Sequence, residues 1–304
     1  MLWFRQTTPI TNMTKLLDAL RFDGSRKFTI SKADTRINDL YADDADYETQ
    51  LRQNAGEIEK WQTRLYSHNR YGMVAVFQAM DAAGKDGTIQ NVFRGTNPLG
   101  LTVRSFKRPN TTELEHDFLW RTYRELPERG NITVFNRSYY EEVLVVKVHP
   151  DILLNSQRLP ADRTADLKKV WKHRYEAICN LEKHLYYEGF PTIKFFLHLS
   201  KQEQAKRLID RIKNPAKNWK FDDQDVKERD CWDDYMAAFE EAINETATEK
   251  APWYVIPADD KKTMRLLVGQ VLIEELKKLP IAEPEQNEAR FAELQKLISV
   301  IEGQ

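Results

Sequence analysis

Residues 73–88 constrain the chain more than any other stretch. They read Met-Val-Ala-Val-Phe-Gln-Ala-Met-Asp-Ala-Ala-Gly-Lys-Asp-Gly-Thr, an apolar run of strand length, a loop of small residues and then a helical pattern. A strand that turns this quickly into a helix leaves the first helical N–H groups pointing out of the loop, where an anion satisfies them. Ala82, Ala83, Gly84, Lys85, Asp86, Gly87 and Thr88 supply that cradle. Gly84 lets the backbone come close, and Lys85 brings a point charge to the outer phosphates. The segment departs twice from G-x-x-x-x-G-K-[ST]: Ala79 stands at the first glycine, and Asp86 replaces the hydroxyl that ordinarily ligates Mg²⁺. Asp81, inside the loop, offers a carboxylate instead. The competing interpretation is a small-residue strand-to-helix turn with an incidental lysine.

The remaining pattern tells what kind of sheet this strand joins. Apolar runs at Leu101–Phe106, Asn131–Phe135, Thr192–Leu199 and Trp253–Ile256 are the other strand candidates. Helical patterns lie between them at Lys85–Arg94, Thr112–Arg124, Ser138–Val145, Asp162–Glu188, Lys201–Lys213 and Asp225–Asn244. Strands that alternate with helices predict an α/β fold with a parallel sheet covered on both faces. The pattern is weak up to about residue 43, and then Tyr47, Leu51, Ala55, Ile58, Trp61 and Leu65 mark an amphipathic helix. Two further helices are expected at Met264–Leu279 and Glu285–Ile301, separated by the Pro280–Pro284 stretch. The expected organisation is an N-terminal extension over 1–70, a core over 71–280 that includes a lid at 201–235, and a C-terminal helix over 281–304.

Composition removes several classes. A chain of 304 residues with 41% hydrophobic and 31% charged side chains is globular rather than disordered. Lys and Arg number 46 against 47 Asp and Glu, so a polyanion site has to come from local segregation of charge. Cys179 and Cys231 have no C-x-x-C or Cys/His neighbours, which argues against a disulfide framework or a structural zinc site. The opening residues lack the pattern of a signal peptide, and no apolar run approaches the roughly 18 residues of a membrane span. A cytoplasmic protein without a membrane partner is expected.

A second cluster is expected beside the loop, because open parallel sheets bind ligands outside the carboxyl ends of their strands. Past Ile132–Phe135 come Asn136, Arg137, Ser138, Tyr139, Tyr140, Glu141 and Glu142. Asn136 stands where a metal-holding Asp would be usual, and its amide can orient a metal-bound water. Glu141 or Glu142 restores the negative charge, with Glu141 preferred; the alternative is a capping box at Ser138 with solvated acids. Residues 88–112 contain no acid, and Arg94, Arg104, Lys107 and Arg108 give them a local charge of +4. Over 201–220, seven basic residues, Lys217 among them, face two acidic ones. Arg207 and Arg211 share a helix face at i, i+4, as lid arginines that close on a phosphoryl group would. Trp219, Phe221, Trp232 and Tyr235 either stack a base or belong to the core. The six histidines show no metal-ligand spacing.

Three motifs in this order, M-D-A-A-G-K-D-G-T at 80–88, F-N-R-S-Y-Y-E-E-V-L-V at 135–145, and N-W-K-F with D-C-W-D-D-Y at 218–221 and 230–235, resemble the second polyphosphate kinase family, the polyphosphate:nucleotide phosphotransferases. The resemblance covers roughly residues 40–280. It implies a P-loop kinase fold similar to thymidylate kinase, a three-layer sandwich with a helical lid and extra terminal helices. It also implies Mg²⁺-dependent, reversible transfer of a terminal phosphate from inorganic polyphosphate to a nucleotide, with Mn²⁺ as an alternative metal. The resemblance carries metal binding onto Asp81, phosphate binding onto Lys85 and Arg137, and lid roles onto Arg207 and Arg211. The loop occurs once, unlike the tandem members, and the F-N-R-S form is similar to the single-module branch that acts on nucleoside mono- and diphosphates. AMP and ADP are therefore the expected acceptors, ATP the product, and a homo-oligomer the expected assembly. Arg94, Lys107 and Arg108 are added as a polyphosphate track because their segment is free of acids. The competing functions are an ATP-dependent nucleoside monophosphate kinase and a non-catalytic polyanion-binding protein; near-neutral charge and the lack of a nucleic-acid motif weigh against a nucleic-acid partner.

Overall fold

A computed structural model describes residues 10–216, 218–282 and 288–303. Its centre is a six-stranded sheet of β1 (Arg21–Phe22), β2 (Met73–Gln78), β3 (Leu101–Ser105), β4 (Ile132–Asn136), β5 (Thr192–His198) and β6 (Trp253–Pro257). The strand order is β1-β6-β5-β2-β4-β3, with β1 antiparallel to β6 and every other pairing parallel. β2, β5 and β6 are buried along their whole length, as largely apolar runs require in a sheet covered on both faces, with Lys194 of β5 a buried charge among them. The expected α/β sandwich is the one observed. From β2 the chain runs outward to β3, returns to β4, and then crosses to β5 on the other side of β2. The carboxyl end of β2 is therefore the switch point, where the loop ends of β4 and β5 flank a ligand-sized crevice.

The period-2 alternation of the strands sorts the core into two layers. Met73, Ala75, Phe77, Ile193, Phe195 and Ile256 pack under helices Asp44–His68, Lys85–Val92 and Lys261–Lys277 through Ile58, Leu65, Ile89, Met264, Leu267 and Val271. Val74, Val76, Phe135, Phe196, Trp253 and Val255 pack on the other face against helices Leu167–Tyr187 and Trp232–Thr246. Fully burying a side chain such as Ile58 or Leu65 contributes about 1.5–3 kcal/mol. Asp43 caps helix Asp44–His68 by accepting from the Asp46 N–H, a contact of about 1 kcal/mol, and Asn69 ends it in the left-handed conformation. The segment before residue 71 shares this core: helix Ile10–Leu20 contributes Leu17, and β1 extends the sheet at β6.

Several long predicted helices are broken, three of them at a side chain that caps the backbone. The segment 112–124 forms two single turns, Thr111–Leu114 and Trp120–Tyr123; Asn110 caps the first, and Asp117 accepts from the Leu119 N–H before the second. Asp166 interrupts 162–188 by capping Leu167–Tyr187. Residues 225–244 divide into Gln224–Glu228 and Trp232–Thr246. Segment 138–145 is a 3₁₀ turn, Tyr139–Glu142, started by Ser138. The C-terminal helix is Glu288–Glu302, and the expected start at Glu285 lies outside the described residues.

Candidate active site

The loop at the switch point is held in a conformation few residues adopt freely. Ala82 and Gly84 both have positive φ, 62° and 104°. A Cβ at residue 84 would find ordinary contacts, so it is the backbone angle that demands glycine. Gly84 is the N-cap of Lys85–Val92 and offers no side-chain cap, so the first N–H groups of that helix are left to a ligand. Lys85 is buried, and its Nζ donates to the carbonyl oxygens of Ala79 at 2.8 Å and Met80 at 3.3 Å. Burial, with Arg137 nearby, lowers the Lys85 pKa against the opposing pull of Asp81, Glu141 and Asp86. Thr88 is fully buried, with its hydroxyl donating to the Gly84 carbonyl at 3.0 Å, so this side chain serves the helix start.

β4 ends one strand away and brings Arg137 to the loop. Its φ of 62° is again left-handed, costing on the order of 1–3 kcal/mol for a side-chain-bearing residue, and such strain gathers at functional positions. Arg137 Nη2 donates to Asp81 Oδ1 at 2.7 Å, and Nη1 lies 3.6 Å from Glu141 Oε2. Burial acts to raise the Asp81 pKa, but Lys85, Arg137 and Arg211 outweigh it and the net shift is downward. Glu141 goes the other way: burial raises it despite Arg137, Lys85 and a hydrogen bond from Gln78. Two carboxylates flank one guanidinium, with their affinities for a proton driven apart. Asn136 donates to Asp86 Oδ1 at 2.7 Å, so two of the three residues that depart from common P-loop patterns meet each other. Glu142 faces away, in a buried ion pair with Arg174 at 3.0 Å.

Helix Lys201–Lys213 closes the third side. Arg207 is buried, and its Nη1 donates to the Ala83 carbonyl at 2.8 Å; Nη2 donates to those of Ala258 at 2.7 Å and Asp259 at 3.0 Å. Its Nε donates to Glu203 at 2.9 Å. Arg207 thus braces the P-loop against the end of β6. Arg211, one turn on, pairs with Asp225 at 3.0 Å. Gln204 donates to the Asp81 carbonyl at 2.9 Å and accepts from Arg229 at 2.7 Å. A cavity of about 40 Å³ remains among Asp81, Arg137, Glu141, Glu228 and Tyr235. A roomier one of about 1100 Å³ opens at the amino ends of β2 and β5, beside Met73 and Thr192, away from any of this chemistry.

A model of the Polyphosphate kinase 2 family matches residues 41–284. The chain belongs to that family. A Rhodopseudomonas palustris protein named ADP-polyphosphate phosphotransferase is 50% identical over 274 residues, 90% of this chain and 94% of that one. A Meiothermus ruber protein named AMP/ADP-polyphosphate phosphotransferase is 44% identical over 232 residues, 76% of this chain and 82% of that one. Among solved structures, polyphosphate kinase 2 from Arthrobacter aurescens aligns with a TM-score of 0.80 at 33% identity, covering 92% of this chain and 96% of that one. The protein is thus an enzyme of the kinase class, whose chemistry in general requires a divalent cation.

Family membership sets a test for the metal. Among the described residues no group of three or more His, Cys, Asp or Glu could hold an ion. Mg²⁺ does not ask for such a cage, since it keeps several waters and takes one or two carboxylates plus substrate phosphates. Asp81 and Glu141 supply two carboxylates on one cavity, and Gln78 Oε1, buried beside them, has no hydrogen-bond partner. The donor set fits the ion.

The remaining expected site residues are dispersed around this centre. Arg94, Lys107 and Arg108 are exposed and have no ion pair among the described residues, whereas Arg104 pairs with Glu125 at 2.5 Å. Lys217 lies outside the described residues. Trp232 and Tyr235 are buried and belong to the core, while Trp219 is 75% exposed. Gln78, Gln204, Glu228 and Arg229 were not expected at the site. Gln204 and Arg229 stand in regions already read as basic lid, but nothing in their spacing indicates a shared target. No helix among the described residues is long and apolar enough to cross a membrane.

Proposed function

We propose that the protein transfers the terminal phosphate of inorganic polyphosphate to AMP and ADP, reversibly, with Mg²⁺ or in its place Mn²⁺. The observation that carries the proposal is the convergence of Lys85, Arg137 and the uncapped helix start on Asp81 at the sheet's switch point. Phosphoryl transfer asks a protein for alignment and charge compensation rather than covalent participation, and these groups supply both. The loop N–H groups and Lys85 bind the phosphate, and Arg137 neutralises charge on its oxygens while Asp81 and Glu141 keep the guanidinium oriented. Asp81 and Glu141 would hold the metal, which supplies Lewis-acid neutralisation of phosphate charge when bound. Arg211 reaches the same centre from the lid, and Arg207 acts through the loop it braces. Arg94, Lys107 and Arg108, with Lys217, form the proposed track for the chain of phosphates.

ADP as acceptor is supported by the names of both relatives, and AMP by the name of one. Two free cysteines accord with a cytoplasmic setting. Assembly as a homo-oligomer is also proposed, since helix Glu288–Glu302 exposes Phe291, Leu294, Leu297 and Ile298. The test is chromatographic product analysis of purified protein with Mg²⁺, long-chain polyphosphate and either AMP or ADP, without ATP. ATP from both acceptors supports the whole proposal. ATP from ADP alone removes AMP. No product from either, with ADP formed from AMP plus ATP, replaces polyphosphate by ATP as donor.

A further inference from the structure

The face of the sheet turned away from the P-loop helix contains a charge with no part in the chemistry above. Lys194 stands mid-way along β5 and is wholly inaccessible. Its Nζ donates to Glu182 Oε2 at 2.6 Å and to the Thr246 carbonyl at 2.8 Å. Glu182, on helix Leu167–Tyr187, is 1% exposed. Its other oxygen accepts from the hydroxyls of Tyr139 at 2.8 Å and Tyr140 at 2.9 Å. The Tyr140 hydroxyl also lies 2.8 Å from Thr246 Oγ1, which accepts from the Trp253 indole at 3.0 Å.

A buried ion pair contributes little net stability compared with apolar side chains of the same volume, so the arrangement asks what else it does. Its partners supply the answer. Tyr139 and Tyr140 belong to the 3₁₀ turn between Arg137 and Glu142, so the segment that carries the site's guanidinium and its second carboxylate is anchored from beneath. The same helix grips the far end of the turn, where Arg174 donates to the Glu142 carbonyl at 2.7 Å and to its carboxylate at 3.0 Å. Arg137 and Glu141 face the loop, while Tyr139 and Tyr140 face the core. Both phenols are buried, and both hydroxyls converge on the one Glu182 oxygen.

We infer that Glu182, paired in the core with Lys194, is a positioning residue for phosphoryl transfer: by taking the Tyr139 and Tyr140 hydroxyls it sets the turn that aims Arg137 and Glu141 at the phosphate loop. The inference rests on the function proposed above and assigns none of the four residues to contact with substrate.

Two variants test it. Tyr139→Phe removes one hydroxyl and keeps the ring, and Glu182→Leu with Lys194→Met replaces the pair by apolar side chains. Each is compared with the wild type for thermal midpoint, turnover per folded molecule at saturating substrates, KM for the nucleotide, and affinity for inorganic triphosphate by calorimetry. The expected result for both is a folded protein with turnover about 10-fold lower, an unchanged nucleotide KM and triphosphate binding weaker by roughly 3- to 10-fold. Native turnover and native triphosphate affinity in Tyr139→Phe would overturn the inference. So would a loss of turnover that only tracks the unfolded fraction and vanishes at a temperature where the variant is fully folded. If the wild type itself transfers no phosphate, the proposed function fails separately, and the ratio of triphosphate affinities alone decides the inference.

Discussion

Arg207→Leu separates two roles a lid arginine can play. The side chain is 7% exposed and makes three hydrogen bonds of 2.7–3.0 Å to the carbonyls of Ala83, Ala258 and Asp259. Leucine fills much of the volume but leaves those three acceptors without their donor. Glu203 loses a partner too, although it is partly solvated and keeps Lys206 at 3.7 Å. A buried acceptor left unpaired costs about 1–3 kcal/mol, and allowing for partial rehydration the total comes to about 3–5 kcal/mol. Urea unfolding followed by fluorescence measures it, beside Arg207→Lys, which keeps the charge but not the planar fork and is expected to lose about 2 kcal/mol. Turnover per folded molecule should fall about 10-fold as the loop loses its brace. If Arg207→Leu unfolds at the wild-type midpoint yet transfers no phosphate, the bracing account is wrong and Arg207 acts on the phosphates directly.

Other substitutions follow from the same geometry. Lys85→Ala is expected to lower turnover about 100- to 1000-fold with the thermal midpoint held or raised, because it removes a buried charge; near-normal turnover would take the loop out of the reaction. Asp81→Asn should raise the Mg²⁺ concentration needed for half-maximal rate, and an unchanged metal dependence would put the ion elsewhere. Reversing charge at Lys107 and Arg108 should raise the KM for long polyphosphate much more than that for triphosphate, since both side chains are exposed and away from the loop; equal effects would remove them from the track. His198 is 5% exposed, and burial lowers its pKa below the usual 6.5 in the folded protein. Between that lowered value and about 6.5 the unfolded chain binds more protons, so stability is complete above about pH 6.5 and is lost as pH falls, by up to about 1.4 kcal/mol per pH unit. His198→Gln should flatten the acid limb of urea midpoints over pH 5–7; an unchanged slope would assign it to other groups.

What could be read without coordinates followed physical reach along the chain. β2, β4, β5 and β6 are predominantly apolar runs of strand length, and no surface helix has that pattern, so the strands and their layer order were legible. Asp81, Lys85 and Arg137 came together because their segments end two neighbouring parallel strands, which sheet topology places side by side. β1 escaped because two residues carry no periodicity. The helix breaks escaped because Asp117 and Asp166 interrupt patterns whose apolar spacing continues past them. The bracing contacts were hidden more deeply. Arg207 has the spacing of any basic helix face, and only the packed fold shows that its targets are backbone carbonyls of two distant loops. Glu141 and Glu142 are adjacent in sequence, yet the tight turn sends one to Arg137 and the other to Arg174, a choice made by tertiary partners.

Direct transfer from polyphosphate is the central claim, and an isotopic label tests it most plainly. Polyphosphate labelled with ³²P is incubated with unlabelled ADP, Mg²⁺ and the purified protein, and the nucleotides are separated and degraded stepwise. The account expects the label to enter the γ-phosphate of ATP first, at the initial rate, with Lys85→Ala nearly abolishing it. Label that stays in polyphosphate, or appears only as orthophosphate, would contradict it.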